Sequence, residues 1–475
     1  MERLRGERPL SRVTAPPDLA PSSSTAERIY ARLPRGLQSA ALSFEGLRQR
    51  RERYGGDFRS RLEDYVARDR ASADEMHAAR RDKLRALLSH AAAHIPHWRE
   101  TFRAAGLDPA RVESPDDLAV LPVLTKADVL RLGTRLLWPG APPHELRKVH
   151  TSGTTGAGLV FMTTRDAIRD QWAVWWRYRA RLGLDLGTWQ GTFSGRSIVP
   201  GDSDDPRPWR VNRPGRQVLF SQYHLRPDTA GAYADELARR NLPWLHGYPS
   251  FLAHLATLIA AGGHDVPRPG AITFGAENVS PAQVRIVREI FGTAPVQHYG
   301  LAEMVANASE CPAGRLHVDE DFAAVELAPS VDGTHRILGT SLGNFAMPFI
   351  RYETGDLARV ASTPCGCGLP GRVLDSIDGR REDLLELRDG SMVGRLDHLF
   401  KDAVRVAEAQ IRQAAPGRCT IVIVPRPGFG PADRDALLEE CRTRFGDRLD
   451  VEIELVDAIP RTRGGKLRLV VRTMG

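Results

Sequence analysis

Apolar positions three and four apart run through residues 37–105, most clearly in EMHAARRDKLRALLSHAAAHI, and predict helices there. The same spacing returns in DAIRDQWAVWWRYRARLGL, whose tryptophans read as core rather than as a ligand platform. From about 180 to 360, compact β-rich runs (QVLFS, AITFGA, PVQHYG) alternate with helical ones (TAGAYADELARR, PSFLAHLATLIAAG, PAQVRIVREIFG). That alternation predicts an α/β fold with largely parallel sheets and flanking helices. Beyond about residue 380 the pattern changes. The hairpin-like LLELRDGSMVG is followed by TIVIV, the helical DRDALLEECRTRFG and the strand-like VEIELV, the make-up of a small α+β unit. The expected division is an extended or disordered segment at 1–36, a large domain at 37–380 and a small mobile domain at 381–475.

Bulk composition narrows the class. With 42% hydrophobic and 26% charged residues in 475, the chain reads as an ordinary soluble globular protein. No apolar run nears the roughly 18 residues of a membrane helix. The opening MERLRGERPLSRVTAPPDLAPSSS is basic and Pro/Ser-rich but has no apolar centre, so a tail is expected rather than a secretory signal. The net charge of +7 is spread along the chain without a basic, aromatic-interleaved block. Nucleic-acid binding is therefore not expected, whereas phosphorylated small molecules suit the charge. Five cysteines and no signal point to a reducing, cytoplasmic setting.

Five short stretches could carry chemistry. Thr151, Ser152, Gly153, Thr154, Thr155 and Gly156 open a Gly/Ser/Thr run whose N–H and hydroxyl groups could close on phosphate oxygens, or form a plain polar turn. It is not a Walker loop, since no GK[ST] follows. His298-Tyr299-Gly300-Leu301-Ala302-Glu303 ends a β run: the glutamate could hold Mg2+ and the tyrosine lie against a base, or both could face solvent. In Arg351-Tyr352-Glu353-Thr354-Gly355-Asp356 the aspartate could take ribose hydroxyls or make an Asx turn. Gly379-Arg380-Arg381-Glu382-Asp383 stands at the domain boundary. PRTRGGKLR, residues 460–468, holds Lys466, one of only five lysines among 66 basic residues.

In this order and at these separations the five stretches resemble the adenylate-forming (acyl/aryl-CoA synthetase) superfamily. Within it the chain is similar to phenylacetate–CoA ligase-like proteins, especially the capsule-biosynthesis branch; IPHWRE, GYPSFL, FGAENVSP, GRLDHLFK and GGKLR carry that likeness. It covers roughly residues 37–475. The resemblance implies an AMP-forming ligase that uses ATP and Mg2+ to activate a carboxylic acid, aryl or small organic, and passes it to CoA. It implies that Thr151 to Gly156 grip phosphate, that Gly275, Ala276 and Glu277 line the adenine side and that Tyr299, in the His298–Gly300 turn, stacks on adenine. It further implies that Glu303 binds Mg2+, that Asp356 and Arg380 take ribose or phosphate and that Glu382 or Asp383 is the hinge. Lys466 would reach in from the small domain to the reacting carboxylate and α-phosphate. One position departs: Ala302 stands where the family usually carries a hydroxyl that touches the α-phosphate.

Cys311, His317, Cys365 and Cys367 form two short-spaced clusters, the composition of a structural Cys3His zinc site; Cys419 and Cys441 read as core. The acid pocket is expected between 246–250, 274–278 and 298–307, with His246, Tyr248, Met304 and Asn307 as lining. Monomer and homodimer both remain open. Two rival readings stand beside the CoA ligase: the same adenylation with an amine or other small nucleophile as acceptor, and a non-catalytic homologue that keeps the fold. A zinc hydrolase is disfavoured, because the Cys/His set leaves no place for water.

Overall fold

The structure is a computed structural model. It describes residues 29–151, 159–196, 198–200, 203, 205–277, 279, 281–330, 334–378, 385–393, 396–400, 403, 405–425, 428–457, 459 and 469–472.

The N-terminal third is helical, as the periodicity requires: α1 (Arg35–Tyr54), α2 (Phe58–Ala67), α3 (Ala73–His94), α4 (Pro96–Ala105) and α5 (Lys126–Leu132). Helix α3 starts at a capping box. Glu75 N–H donates to Ser72 Oγ at 3.2 Å, and Ser72 N–H donates to Glu75 Oε2 at 2.8 Å. Its apolar stripe, Leu84, Leu87, Leu88 and Ala91, is fully buried against Trp98 of α4 and Phe349. A hairpin of β1 (Leu146–His150) and β2 (Val160–Thr164) then leads into α6 (Arg165–Arg181).

The central sheet has twelve strands. Its parallel part comprises β3 (Gln190–Ser194), β5 (Gln217–Ser221), β6 (Trp244–Gly247), β7 (Ala271–Phe274) and β8 (Pro295–Gly300), edged by antiparallel β4 (Trp209–Asn212). From β8 the sheet continues antiparallel through β9 (Asn307–Glu310), β10 (Leu316–Val318), β14 (Val373–Asp378), β13 (Tyr352–Val360), β12 (His335–Ser341) and β11 (Ala323–Pro329). Crossover helices α7 (Ala230–Arg240), α8 (Pro249–Gly262) and α9 (Pro281–Phe291) cover one face of the parallel part. Phe193, Val218, Phe220, Leu245, Ile272 and Phe274 meet them there. The alternate residues Thr192, Trp244, His246 and Thr273 turn to the opposite face, the side of α6.

Helix α6 is tied down by buried charge. Arg177, 2% exposed, donates from Nη1 to Asp321 Oδ2 at 2.9 Å and from Nη2 to Asp319 Oδ1 at 2.5 Å. Burial alone would raise the Asp321 carboxyl pKa, but Arg177, with Lys83 and Arg68, outweighs it and holds the group below its ordinary value.

The C-terminal residues build a second sheet in the order β19 (Asp450–Leu455), β18 (Arg418–Pro425), β17 (Val406–Ala415), β20 (Val470–Arg472), with helix α10 (Pro431–Phe445) and a short hairpin of β15 (Leu385–Glu386) and β16 (Met392–Val393). Its core accepts one side chain from the large body. Tyr223 is 3% exposed, lies 6.0 Å from the Phe445 ring, and donates its phenol to the Gly195 carbonyl at 2.8 Å. No helix among the described residues is long and apolar enough to cross a membrane.

Candidate functional site

The carboxyl ends of adjacent parallel strands are where an open α/β sheet offers a ligand crevice. Here β6, β7 and β8 end in Gly247-Tyr248, Gly275-Ala276-Glu277 and Gly300. The backbone is strained at this rim. Of five non-glycine residues with positive φ among the described residues, three belong to these motifs: Ala276 (68°), Met304 (60°) and Arg351 (56°). Such conformations cost about 1–3 kcal/mol each and cluster where geometry serves a ligand. Gly275 is glycine for space, since a Cβ there would stand 2.8 Å from the His298 ring. A Cβ on Gly300 would stand 2.7 Å from Asn307 Oδ1 and 3.1 Å from Trp175 Nε1.

The second and third motifs meet across the sheet. Tyr299 donates its phenol to Asp356 Oδ2 at 2.8 Å, and Tyr352 Oη lies 3.5 Å from Glu303 Oε1. Asp356 is held by its own backbone N–H, which donates to Thr354 Oγ1 at 3.1 Å, while that hydroxyl donates to the Ile337 carbonyl at 3.0 Å. Arg351, one residue before β13, donates Nε to Glu326 Oε1 at 2.9 Å and Nη1 to the Leu121 carbonyl at 2.5 Å, fixing the start of the motif. Each of the two carboxylates, Glu303 and Asp356, is thereby set beside a tyrosine.

Of the phosphate-loop residues, Thr151 lies at the neck. Its N–H donates to the Leu159 carbonyl at 2.8 Å and its Oγ1 accepts from Leu159 N–H at 3.0 Å. The hydroxyl accepts here and keeps its own O–H as a donor. Ser152 to Gly156, Arg380, Glu382, Asp383 and Lys466 lie outside the described residues.

Below the rim, His246 Nδ1 lies 2.8 Å from Thr273 Oγ1, which also accepts from Trp244 Nε1 at 2.8 Å. His298 stacks on Tyr178 of α6, ring centres 4.9 Å apart. It faces away from Tyr299, so its side chain belongs to this pocket rather than to the adenine side. Burial, reinforced by Arg179, lowers His298 to about 3 and pushes His246 well below its ordinary value; both rings are neutral at pH 7. Both keep part of their surface open to solvent, as does Tyr248. Two expected lining residues do not. Met304 is 4% exposed and takes a hydrogen bond from Thr163 on its sulfur, and Asn307 is 1% exposed, accepting from Trp175 Nε1 at 3.0 Å and donating to Asp319 at 2.5 Å. Trp175, Tyr178 and Arg179 of α6 pack on Asn307, His298 and Trp244 in turn. Nothing in the helical periodicity distinguishes them from core, although the density of aromatic and cationic residues in WAVWWRYR was the available signal.

The four ligand atoms of Cys311, His317, Cys365 and Cys367 all lie within 4.8 Å of one another. Cys311 Sγ is 3.7 Å from Cys365 Sγ, and Cys367 Sγ is 3.4 Å from His317 Nε2. A tetrahedral zinc with bonds of about 2.3 Å sets sulfur atoms about 3.8 Å apart. His317 Nδ1 lies 3.0 Å from the Pro370 carbonyl, to which only its protonated form can donate. That bond leaves Nε2 bare toward the thiols, the tautomer a metal ligand needs. Cys419 and Cys441 are buried in the C-terminal core, and burial pushes both thiols up.

Comparison with known proteins follows the same lines. A family model described as the CapK C-terminal domain matches residues 385–473. Protein CapK of Staphylococcus aureus is 23% identical over 74% of this chain and 80% of its own length. A phenylacetate-coenzyme A ligase of Thermus thermophilus is 25% identical over 84% of this chain and 96% of its own. Among solved structures, 2-hydroxyisobutyryl-CoA ligase in complex with 2-HIB-AMP and CoA superposes with a TM-score of 0.54 at 20% identity, covering 85% of this chain and 91% of that one. At that identity the likeness establishes the fold.

Proposed function

We propose that this chain, a homologue of CapK and the phenylacetate-CoA ligases with the fold of the adenylate-forming superfamily, activates a carboxylic acid as its acyl-adenylate and passes the acyl group to CoA. The observation that carries the reading is the meeting of Tyr299 with Asp356 and of Tyr352 with Glu303 at the carboxyl ends of the parallel strands.

In this reading the acid's carboxylate oxygen attacks the α-phosphorus of ATP and pyrophosphate leaves. The CoA thiolate then attacks the acyl carbon and AMP leaves. Asp356, oriented by Thr354 and Tyr299, takes the ribose hydroxyls, while the Tyr299 ring supports the adenine and Gly275 to Glu277 give its edge room. Glu303 suits Mg2+, a hard cation that takes carboxylate oxygen; the ion would supply charge neutralisation to the leaving pyrophosphate. Ser152 to Gly156 grip phosphate, Arg380 holds ribose or phosphate, and Lys466 on the small domain of 381–475 stabilises charge at the reacting centre. Cys311, His317, Cys365 and Cys367 hold a structural zinc: the distances fit a tetrahedral ion, and four protein ligands leave no open position.

The test is pyrophosphate release across a panel of carboxylic acids, with and without CoA. Acid-dependent release followed by acyl-CoA formation is expected. Absence of release with every acid, or release that ends in no thioester, overturns the reading.

A further inference from the structure

Four arginines are buried among the described residues, and three of them meet carboxylates: Arg80 with Glu320, Arg177 with Asp319 and Asp321, and Arg210 with Asp205. Arg179 is the exception. It is 3% exposed, and its one hydrogen bond runs from Nε to Tyr178 Oη at 3.3 Å. Its guanidinium sits in an aromatic cage, 5.1 Å from the Trp176 ring, 5.3 Å from Trp244, 5.4 Å from Tyr178 and 5.8 Å from Trp172. Aromatic faces compensate part of the desolvation of a cation, but a buried charge without a counter-ion is costly to keep.

The cage lies below the strand ends, beside Trp244 at the start of β6. Trp175, one helical turn earlier, stands at the rim against Gly300, and Tyr178 stacks on His298 between the two levels. That turn drops about 6 Å. On the sheet side, the strand from Gly247 at the rim back to Trp244 drops about 10 Å. Of the other titratable groups at the cage, His246 and His298 are neutral and Arg53, 4.3 Å over the Trp172 ring, is a second cation, so among the described residues no carboxylate pairs with Arg179. Buried polar atoms without a partner among the described residues gather on the same face: Thr192 Oγ1, Trp176 Nε1 and His298 Nδ1.

Building on the adenylation reading, we propose that the acid is a dicarboxylate, with Arg179 as the specificity residue that pairs with the carboxylate remote from the one activated. Its two carboxylates are separated by an aryl ring or short chain, roughly 6–10 Å end to end. The remote carboxylate stays ionised and takes no part in the chemistry; it exchanges water for a charge-assisted pair with a planar guanidinium.

The experiment compares matched pairs, benzoate with benzene-1,4-dicarboxylate and hexanoate with hexanedioate, on the full chain and on Arg179→Met and Arg179→Lys. Pyrophosphate release gives kcat/KM for each acid, and calorimetry without ATP gives binding of the diacids alone. The wild type should favour one diacid over its monoacid by about 100-fold or more, a ratio that a site built to pair a polar group reaches. Arg179→Met should collapse the ratio to within about threefold, with Arg179→Lys, which keeps the charge but not the fork, in between. A wild type that prefers the monoacid of both pairs, or a ratio untouched in either variant, overturns the proposal. Should Arg179→Met fail to fold, the ratio in Arg179→Lys decides. The adenylation reading fails separately: diacid binding that needs Arg179, with no pyrophosphate from any acid, sinks adenylation and keeps the dicarboxylate site. Monoacid turnover with no diacid binding does the reverse, and no binding with no turnover sinks both.

Discussion

Tyr299 and Asp356 are 57 residues apart in the chain and share a hydrogen bond of 2.8 Å. The bond joins the end of a parallel strand to the middle of an antiparallel one, so the two halves of the central sheet meet at the proposed nucleotide site. A neutral donor to a carboxylate contributes about 1.5–3 kcal/mol. Tyr299→Phe, which keeps the ring and loses the donor, should raise KM for ATP about tenfold with little change in kcat. Asp356→Asn should cost more, because it removes the acceptor for both the tyrosine and the ribose. Pyrophosphate release at varied ATP checks both; an unchanged KM in the double variant contradicts the assignment.

Lys466 is expected to act only on the chemical step. Lys466→Ala should retain ATP binding by calorimetry and lose adenylation by about 100-fold or more, as for loss of a preorganised charge at a transition state. Ala302→Thr should move the other way, restoring one hydrogen bond to phosphate and raising the adenylation rate by up to about tenfold. Equal rates for Ala302→Thr and wild type would show that the phosphate is held elsewhere.

Metal analysis of the purified chain should return about one zinc per chain, the stoichiometry of a closed four-ligand site. Cys367→Ser should lower that figure, and a strong chelator should reduce the thermal midpoint of the wild type but not of the variant. The readout is stability, as for a metal with a structural role.

Arg177→Met should destabilise the chain by about 3 kcal/mol, because it takes from the buried Asp319 and Asp321 the guanidinium they share, leaving Arg68 on Asp321 and Asn307 and Ser309 on Asp319. The sign with pH follows from Asp321, whose carboxyl is held below its ordinary 3.8 in the folded chain. A depressed carboxylate contributes stability that is whole above its unfolded value and is lost as pH falls through its folded one. The gap between wild type and variant should therefore be widest above about pH 4 and narrow in more acidic buffer. Denaturant unfolding at a series of pH values measures it.

Much of the parallel half was legible in sequence, because QVLFS, AITFGA and PVQHYG are apolar runs of strand length set between amphipathic helices. The antiparallel half was not: NASE and LHV are too short and mixed to show a period, and they form strands only because the neighbouring strands supply partners. The Cys/His cluster was legible from residue type alone. Arg179 was not, since arginine is rarely buried and a cation in an aromatic helix looks the same whether it faces solvent or a pocket. Met304 and Asn307 are singled out in sequence by their proximity to Glu303; their burial, at 4% and 1% exposed, was not legible there.

Tyr223 gives the C-terminal unit a mechanical property. Its ring completes a core that the unit does not fill alone, while its phenol stays anchored to the Gly195 carbonyl of the large body. A movement of this unit relative to the large body, as proposed for the delivery of Lys466, would draw that ring from its place beside Phe445. On the proposed movement Tyr223 would act as a detent, a contact whose loss substrate binding has to offset.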